Sequence, residues 1–383
     1  MQRKSLVLAI ALVSAASAAQ ADVFDARAMG RGGVGLTMGE YNQATVNPAL
    51  INQFDDNDQF SFALNFGVIA SDAEGLLDDL DDIGDTFDAL EACSGSCGGG
   101  SEAARANNAL EGANGKVVAV GVGAGVMVGV PNKLLPAAVT MRGGAELGIT
   151  TNYKSSDQAV LNGVAAGTND LGDLTSTVET SGLAVSELGL TMGHTWEGYQ
   201  LGAMLKIQQI NLVSYEANPD DFEASDALDE EDYYKEHSGM NIDLGMRKTF
   251  GDKEQFVYAA TIENLIPQSY DGPAGEYKMN PVPVAAIGYQ SGWLKAEASM
   301  DLAQRSGYGL LGDRQFTRIG AEFSAGKHAH LRAGYAVDMK DTVSDMLSVG
   351  FGLTPWDRAN IDLAAQLGEG DTYGVALQLG FKI

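Results

Sequence analysis

Ala137-Ala-Val-Thr-Met-Arg-Gly-Gly-Ala-Glu-Leu-Gly-Ile-Thr-Thr-Asn-Tyr153 alternates with a period of two over its whole length. One face reads Val139, Met141, Gly143, Ala145, Leu147, Ile149 and Thr151; the other reads Thr140, Arg142, Gly144, Glu146, Gly148 and Thr150. Successive side chains of a strand point to opposite sides, so this run is a strand with one apolar face and one charged or tiny face. A strand of a soluble sandwich would alternate too, but such strands average about 5–6 residues, whereas a strand that crosses a membrane needs about 9–11. The length of this run favours the membrane.

The pattern recurs outward in both directions. Val118, Val120, Val122, Val126 and Val128 oppose Ala119, Gly121, Gly123 and Gly125. Fourteen runs are expected, near 59–70, 116–130, 137–153, 183–194, 199–215, 239–250, 256–264, 283–290, 293–302, 316–324, 330–337, 346–353, 359–367 and 372–383. That is an even number, as in bacterial barrels. The connections alternate in length. Pro131 to Pro136, Thr195 to Gly198, Gly251 to Gln255, Ser291 to Gly292, Ala325 to Ala329 and Thr354 to Arg358 are short. Those at 71–115, 154–182, 216–238, 265–282 and 303–315 are long, shrinking to 338–345 and 368–371. Short turns at one rim and long loops at the other are the outer-membrane arrangement, and a sandwich has no reason to alternate so regularly. The chain stops inside its last run, where Tyr373, Val375, Leu377, Leu379, Phe381 and Ile383 share a face. That suits a sheet closing on its first strand. The fold class expected is all-β, a fourteen-stranded antiparallel transmembrane barrel over 59–383.

Composition agrees. The 383 residues carry 51 Asp+Glu against 24 Lys+Arg, a net charge of −27. Such acidity argues against nucleic acid as a partner, since phosphate contacts need clustered cations. The 48 glycines follow no Gly-X-Y repeat, and 2 cysteines exclude a disulfide scaffold or a Cys-rich zinc module. At the N-terminus Arg3 and Lys4 precede an apolar stretch, Leu6 to Ala19, and Ala19-Gln20-Ala21 is an A-x-A site. The stretch is short for a span, so residues 1–21 read as a cleaved export signal.

Two segments are not strands. Residues 22–58 lack alternation and contain Gly30-Arg31-Gly32-Gly33-Val34-Gly35 and Asn47-Pro48-Ala49-Leu50. The glycines satisfy G-x-G-x-x-G, but a dinucleotide site needs a strand before it and a helix after it, and here an export signal precedes. The segment reads as a compact hatch filling the lumen, with Gly30, Gly32, Gly33, Gly35 and Asn47 to Leu50 as its motif. Within the first long loop, 71–114, Leu76, Leu80, Ile83, Phe87 and Leu90 recur at helical spacing among Asp78, Asp79, Asp81, Asp82, Asp85 and Asp88. The apolar face of this acidic helix either packs on the barrel mouth or guards an entrance for hydrophobic molecules. Cys93 and Cys97, spaced C-x₃-C, favour a local disulfide in an oxidising compartment over redox chemistry. Asp55, Asp56, Asp58 and the acids around Asp220 lack EF-hand spacing and read as solvated. No metal site and no cofactor are expected.

Nor does a catalytic set stand out. His194, His237, His328 and His330 fall in no H-E-x-x-H, and G-x-S-x-G is absent. The inward polar residues are Arg142, Glu146, Lys206, Asp243, Arg247, Glu263, Glu297, Asp301, Arg318, Glu322, Arg332, Asp362 and Lys382. Their mixed signs imply ion pairs or hatch contacts, because unpaired burial is costly. Gly143-Gly144 is a candidate strand kink and, with it, a lateral opening.

Asp25-Ala-Arg-Ala-Met-Gly-Arg-Gly-Gly-Val-Gly35 followed by Asn47-Pro48-Ala49-Leu50 resembles the hatch of FadL-type outer-membrane transporters. More closely, Glu263-Asn-Leu-Ile-Pro267, Trp293 to Asp301, Leu331-Arg-Ala-Gly-Tyr335 and Tyr373-Gly-Val-Ala-Leu-Gln-Leu-Gly-Phe381 are similar to the conjugal-transfer TraF-like barrel family. The resemblance implies a fourteen-stranded barrel with an N-terminal hatch in the bacterial outer membrane. It also implies passage of hydrophobic compounds. The expected function is a non-enzymatic, plugged, passive channel for hydrophobic small molecules, captured by loop 71–114 and passed by the hatch at 22–58. Its expected partners are outer-membrane lipid, such a ligand and the outer-membrane assembly machinery. The alternative is a structural component of conjugative or secretion machinery working through the acidic loops at 154–182 and 216–238. Transport predicts an apolar cavity beside the hatch; the structural role predicts a filled, polar lumen.

Overall fold

A computed structural model describes residues 24–55, 58–97, 100–222 and 233–383. The expected export signal lies outside the described residues, as do Asp56 and the acidic run at 223–232. Among the described residues sixteen strands follow one another: β1 (Ser61–Asp72), β2 (Val117–Val130), β3 (Ala137–Asn152), β4 (Thr177–Trp196), β5 (Tyr199–Ala217) and β6 (Tyr234–Phe250). Then come β7 (Phe256–Glu263), β8 (Gln268–Gly272), β9 (Gly275–Met279), β10 (Val282–Gln290), β11 (Leu294–Asp301) and β12 (Phe316–Ala325). The last are β13 (Ala329–Asp338), β14 (Met346–Leu353), β15 (Ala359–Leu367) and β16 (Asp371–Lys382). Fourteen of them form one closed barrel in which every pair is antiparallel; β8 and β9 form a separate hairpin between β7 and β10. The seam runs from Ser61↔Lys382 to Asp72↔Asp371.

Each of the fourteen runs read from the sequence is a barrel strand. Leu64, Phe66, Met141, Leu188, Ile207, Ile287, Leu331 and Val375 stand exposed on the outer wall, the apolar band that hydrocarbon requires. Near the short turns lie Trp196, Phe250, Phe256, Trp293 and Trp356, with Phe250 stacked on Phe256 at 5.5 Å and Trp293 against Phe323 at 6.2 Å. This is an aromatic girdle. The tightest turn, between Trp196 and Tyr199, has Glu197 at φ 49° and Gly198 at φ 77°. Two consecutive positive φ values match the right-handed twist of the strands they join.

The long-loop rim departs from the sequence reading. β4 starts at Thr177 and β6 at Tyr234, so these strands extend beyond their expected starts. Above them, among the described residues, sit the helices α2 (Leu76–Cys93), α3 (Ser101–Ala113) and α4 (Asp157–Ala166), numbered after the hatch helix α1 (Ala26–Gly30). Leu76, Leu80, Ile83, Phe87 and Leu90 are all buried, packed with Ala103, Ala106 and Leu110 of α3 and Leu161 and Val164 of α4. The apolar face of α2 therefore fills the core of a cap and offers nothing to a passing ligand, which overturns capture by that face. Asp72 receives the Leu76 and Leu77 amides at 2.6 and 3.0 Å, satisfying donors of the first helical turn. Cys93 and Cys97 are joined in a disulfide whose loop serves α4: Gly95 N–H donates to Ala165 O and Ser94 Oγ to Val164 O. Asp157, at the start of α4, accepts from Thr175 and Ser176 at 2.6–3.0 Å. Burial alone would push its carboxyl up; these hydrogen bonds outweigh it and hold the pKa below the ordinary carboxylate value.

The candidate site in the lumen

Residues 24–53 circuit the inside of the barrel. Two rows of inward glycines make room for them. Gly193 on β4, Gly202 on β5 and Gly245 on β6 are in register, giving three adjacent strands a bare strip. Asn47-Pro48-Ala49 lies on it so closely that a β-carbon on Gly202 would fall 2.1 Å from the Pro48 carbonyl carbon. Across the lumen, Gly320 of β12 pairs with Gly334 of β13, and a β-carbon on Gly334 would fall 2.1 Å from the Arg31 carbonyl carbon. Gly30 contacts Gly350 there, and Gly32, at φ 74°, turns the chain against the backbone of Tyr335. Gly33 follows at φ 82°. The glycines of the hatch motif are thus places where backbone meets wall.

Polar contacts complete the seating. Asn47 is fully buried; its Oδ1 accepts from Ala49 N–H at 3.0 Å and its Nδ2 donates to Leu36 O at 2.9 Å. Pro48 opens a short helical turn, Pro48–Asn52, in which Leu50 is buried. The amides of Gly35, Leu36 and Thr37 converge on the Glu297 carboxylate at 3.0, 3.0 and 2.8 Å, and the Thr37 hydroxyl joins them at 2.6 Å. Consecutive amides cradling an anion form a nest; the glycine motif does bind a negative charge, and the charge belongs to the barrel wall. Arg247 Nε donates to Thr37 O at 3.0 Å. Arg27 bonds Asp362 at 2.8 Å and Glu40 at 3.2 Å, and Arg31 bonds Glu322 at 3.3 Å.

Every inward residue read from the sequence belongs to such a network. Arg332 joins Glu322 at 2.6 Å to Asp362 at 2.7 Å. Arg142 meets Glu187 at 2.5 Å, and Lys206 lies 3.0 Å from both Glu187 and Asp243. Arg318 pairs with Asp301 at 2.7 Å, Arg305 with Glu263 at 2.6 Å, Glu146 with Arg314, and Lys382 with Asp55 at 3.0 Å. Arg27, Arg31 and Glu187 were missed in the sequence. The two arginines stand in a glycine segment without periodicity, although the surplus of inward acids on β11 to β15 called for cations from elsewhere. The candidate kink is not present: Gly143 and Gly144 pair with Ala124 and Gly123 on one side and Ser186 and Val185 on the other. Two small residues let β3 pass without breaking its ladder, so this conformation has no lateral opening there. The four histidines do not converge: His194 lies on β4, while His237 Nε2 bonds Asp271 O, His328 Nδ1 bonds Thr354 O and His330 Nδ1 bonds Ser324, these three at 2.8–3.0 Å on separate elements.

Among the described residues, two of the lumen's spaces adjoin the hatch. A cleft of about 720 Å³ descends between β1–β2 and β12–β16, with Phe24 and Met29 of the hatch among its lining. Ile69, Leu311, Phe316 and Met346 line it, and Asp341 and Glu369 come from the loops. On the other side the β8–β9 hairpin folds inward, packing Tyr270, Tyr277 and Met279 with Leu183 and Leu212. The loop after β11 is held there by Leu310 N–H to Ser181 Oγ at 2.7 Å. Beneath the hairpin remains a chamber of about 110 Å³.

Residues 44–301 match the TraF_2 family model, described as F plasmid transfer operon, TraF, protein. No curated protein sequence matches the chain. Among solved structures, a deltaS2S3 mutant of the TodX monoaromatic hydrocarbon channel aligns with a TM-score of 0.57 at 12% identity, covering 93% of this chain and 98% of that one. The P. putida toluene transporter TodX aligns with a TM-score of 0.49 at 12% identity, covering 93% and 97%. At 12% identity the TM-score of 0.57 speaks for the fold.

Proposed function

From the premise that this chain belongs to the family of the F plasmid transfer operon TraF protein, we propose that it is a hatch-bearing outer-membrane barrel that passes hydrophobic small molecules without chemistry. The observation that carries this reading is the 720 Å³ cleft, because it runs from the loop rim to Phe24 and Met29 and is apolar along Ile69, Phe316 and Met346. Pockets for small ligands have this size and lining. The outer apolar band and aromatic girdle support an outer-membrane location, and the fold shared with a monoaromatic hydrocarbon channel supports the ligand class. The polar, ion-paired lower lumen favours a second reading, a structural part of transfer or secretion machinery, in which the hatch is a permanent stopper.

The test is uptake of toluene by proteoliposomes holding the full-length protein. We expect saturable uptake that falls at least about fivefold in Ala336→Phe, which narrows the cleft from the buried Ala336 of β13. Uptake equal to that of protein-free liposomes would favour the structural role.

A further inference from the structure

We infer that a groove in the outer wall of the barrel, directly behind the Asn47-Pro48-Ala49 seat, is a binding site for an acyl chain of a membrane phospholipid. The site is independent of what the lumen carries.

The groove crosses β4 to β7 and holds about 590 Å³. It arises from side-chain size. Met192, Ala203, Leu244 and Ile262 form one outward row in register, and Met246 faces Ala260 in the next. The two alanines stand among longer side chains, and the hollow lies over them. Its floor is backbone: Gly193, Gly202 and Gly245 line it from outside, while the lumen side of the same glycines carries the hatch. An occupant of the groove therefore lies one backbone thickness from Asn47-Pro48-Ala49. Leu201 serves both sides, lining the groove while its carbonyl accepts from Asn52 Nδ2 at 2.9 Å.

The surroundings name the occupant. Leu190, Leu205 and Ile207 of the exposed apolar band continue from the groove along β4 and β5, so it opens onto hydrocarbon. Among the described residues lining it, His194 is the exposed polar side chain; Thr261 is 2% exposed and points to the lumen side by alternation. Lipid tails are as apolar as the leucines they touch, so packing alone distinguishes a groove from a flat wall. A chain in a hollow has protein beside it as well as beneath it, and gains the dispersion contacts that a chain on the flat band forfeits. A thin, flexible chain can follow such a hollow. A second copy of the barrel cannot, because two barrel walls meet convex face to convex face. His194 sets the direction. It lies two residues from Trp196 of the aromatic girdle, the level of lipid head groups, so the chain enters from the short-turn rim and runs toward Ile262.

The experiment places the full-length protein in phosphatidylethanolamine nanodiscs carrying a trace of phosphatidylcholine with a photoactivatable diazirine at mid-chain. After irradiation, mass spectrometry of the digested protein maps the adducts. We expect yields at Met192, Leu201 and Leu244 about fivefold above those at Val349 and Leu363, which are exposed on the opposite wall. Ala203→Leu with Ala260→Leu fills the hollow and brings the groove yields down to that level. Ala365→Leu, on the outer face of β15, leaves them unchanged. Heat-modifiable mobility in gels checks that each variant barrel is closed, and Ala260→Leu alone serves if the double variant fails that check. Even labelling around the native barrel, or groove labelling that survives in the filled variant, overturns the inference. Native mass spectrometry separates the occupants. A phospholipid retained on the monomer and lost from the filled variant supports the inference; a lipid-free dimer that the same substitutions break assigns the groove to a second copy and overturns it. Displacement of the label by toluene also overturns it, since the groove would then belong to the transported molecule.

Discussion

Glu297 shows what one inward carboxylate does for the hatch. It receives three consecutive amides and a hydroxyl, so Glu297→Ala would leave four donors in a lumen site that is 4% exposed on the glutamate side. Charge-assisted bonds of this kind are the strong ones, and we expect a local loss of about 2–4 kcal/mol. Hydrogen exchange at Gly35 to Thr37 reads it: protection collapses in Glu297→Ala and survives in part in Glu297→Gln, which keeps one acceptor oxygen. Unchanged exchange in the alanine variant would mean that the nest holds nothing. The inward direction of Glu297 is legible from the period of two, since Lys295 and Ser299 share its face. Its partner is not legible. Gly35 to Thr37 carry no periodicity, and only the closed barrel brings them to β11.

Elements with a strong period were read nearly to their ends, and those without one were not. β3 runs Ala137–Asn152 where 137–153 was expected, because alternation and flanking turns bound it on both sides. The β8–β9 hairpin was missed: its strands are only five residues each, too short for alternation to show, and they are held by Tyr277 packing on lumen residues. Helix α4 was missed for a related reason. Asp157-Gln-Ala-Val-Leu-Asn-Gly-Val-Ala-Ala166 is small and weakly amphipathic, and its stability comes from the cap core and from Asp157. That dependence predicts a pH response. The native Asp157 pKa lies below its unfolded value near about 3.9, so its contribution is full well above that pH and is lost as pH falls through the native value. Hydrogen exchange of residues 157–166, taken relative to the intrinsic rate at each pH, should therefore accelerate on acidification below about pH 4 in the native protein. In Asp157→Asn it should already be fast at neutral pH and vary less with acid. A variant with native protection throughout would remove Asp157 from the account.

At the scale of the molecule, the hatch is tied to opposite walls. Asn47 to Ala49 rest on β4–β6, and Gly30 to Gly32 rest on β12–β14. The seats share no residue, so damage to them should be close to additive. Gly202→Ala is expected to raise exchange at residues 47–52 and spare 26–32, and Gly334→Ala the reverse; both barrels should stay closed. Exchange rising over the whole hatch from either change would show a single cooperative unit. The inward glycines carried this information in the sequence, but a glycine facing a lumen reads equally well as a gap or a seat, and only the register of Gly193, Gly202 and Gly245 distinguishes them.

The seam between β1 and β16 adds a matter of chronology. The hatch precedes β1 in the chain and β16 comes long after it, yet Ser61 must bond to Lys382 before the wall is whole. The strip on β4–β6 and the one on β12–β14 lie on either side of that seam. Asn47 to Ala49 must therefore be on Gly202, and Arg31 beside Gly334 and Glu322, by the time the two sides meet. The stopper is enclosed by the vessel as the vessel is made, and the last ladder to zip traps it inside.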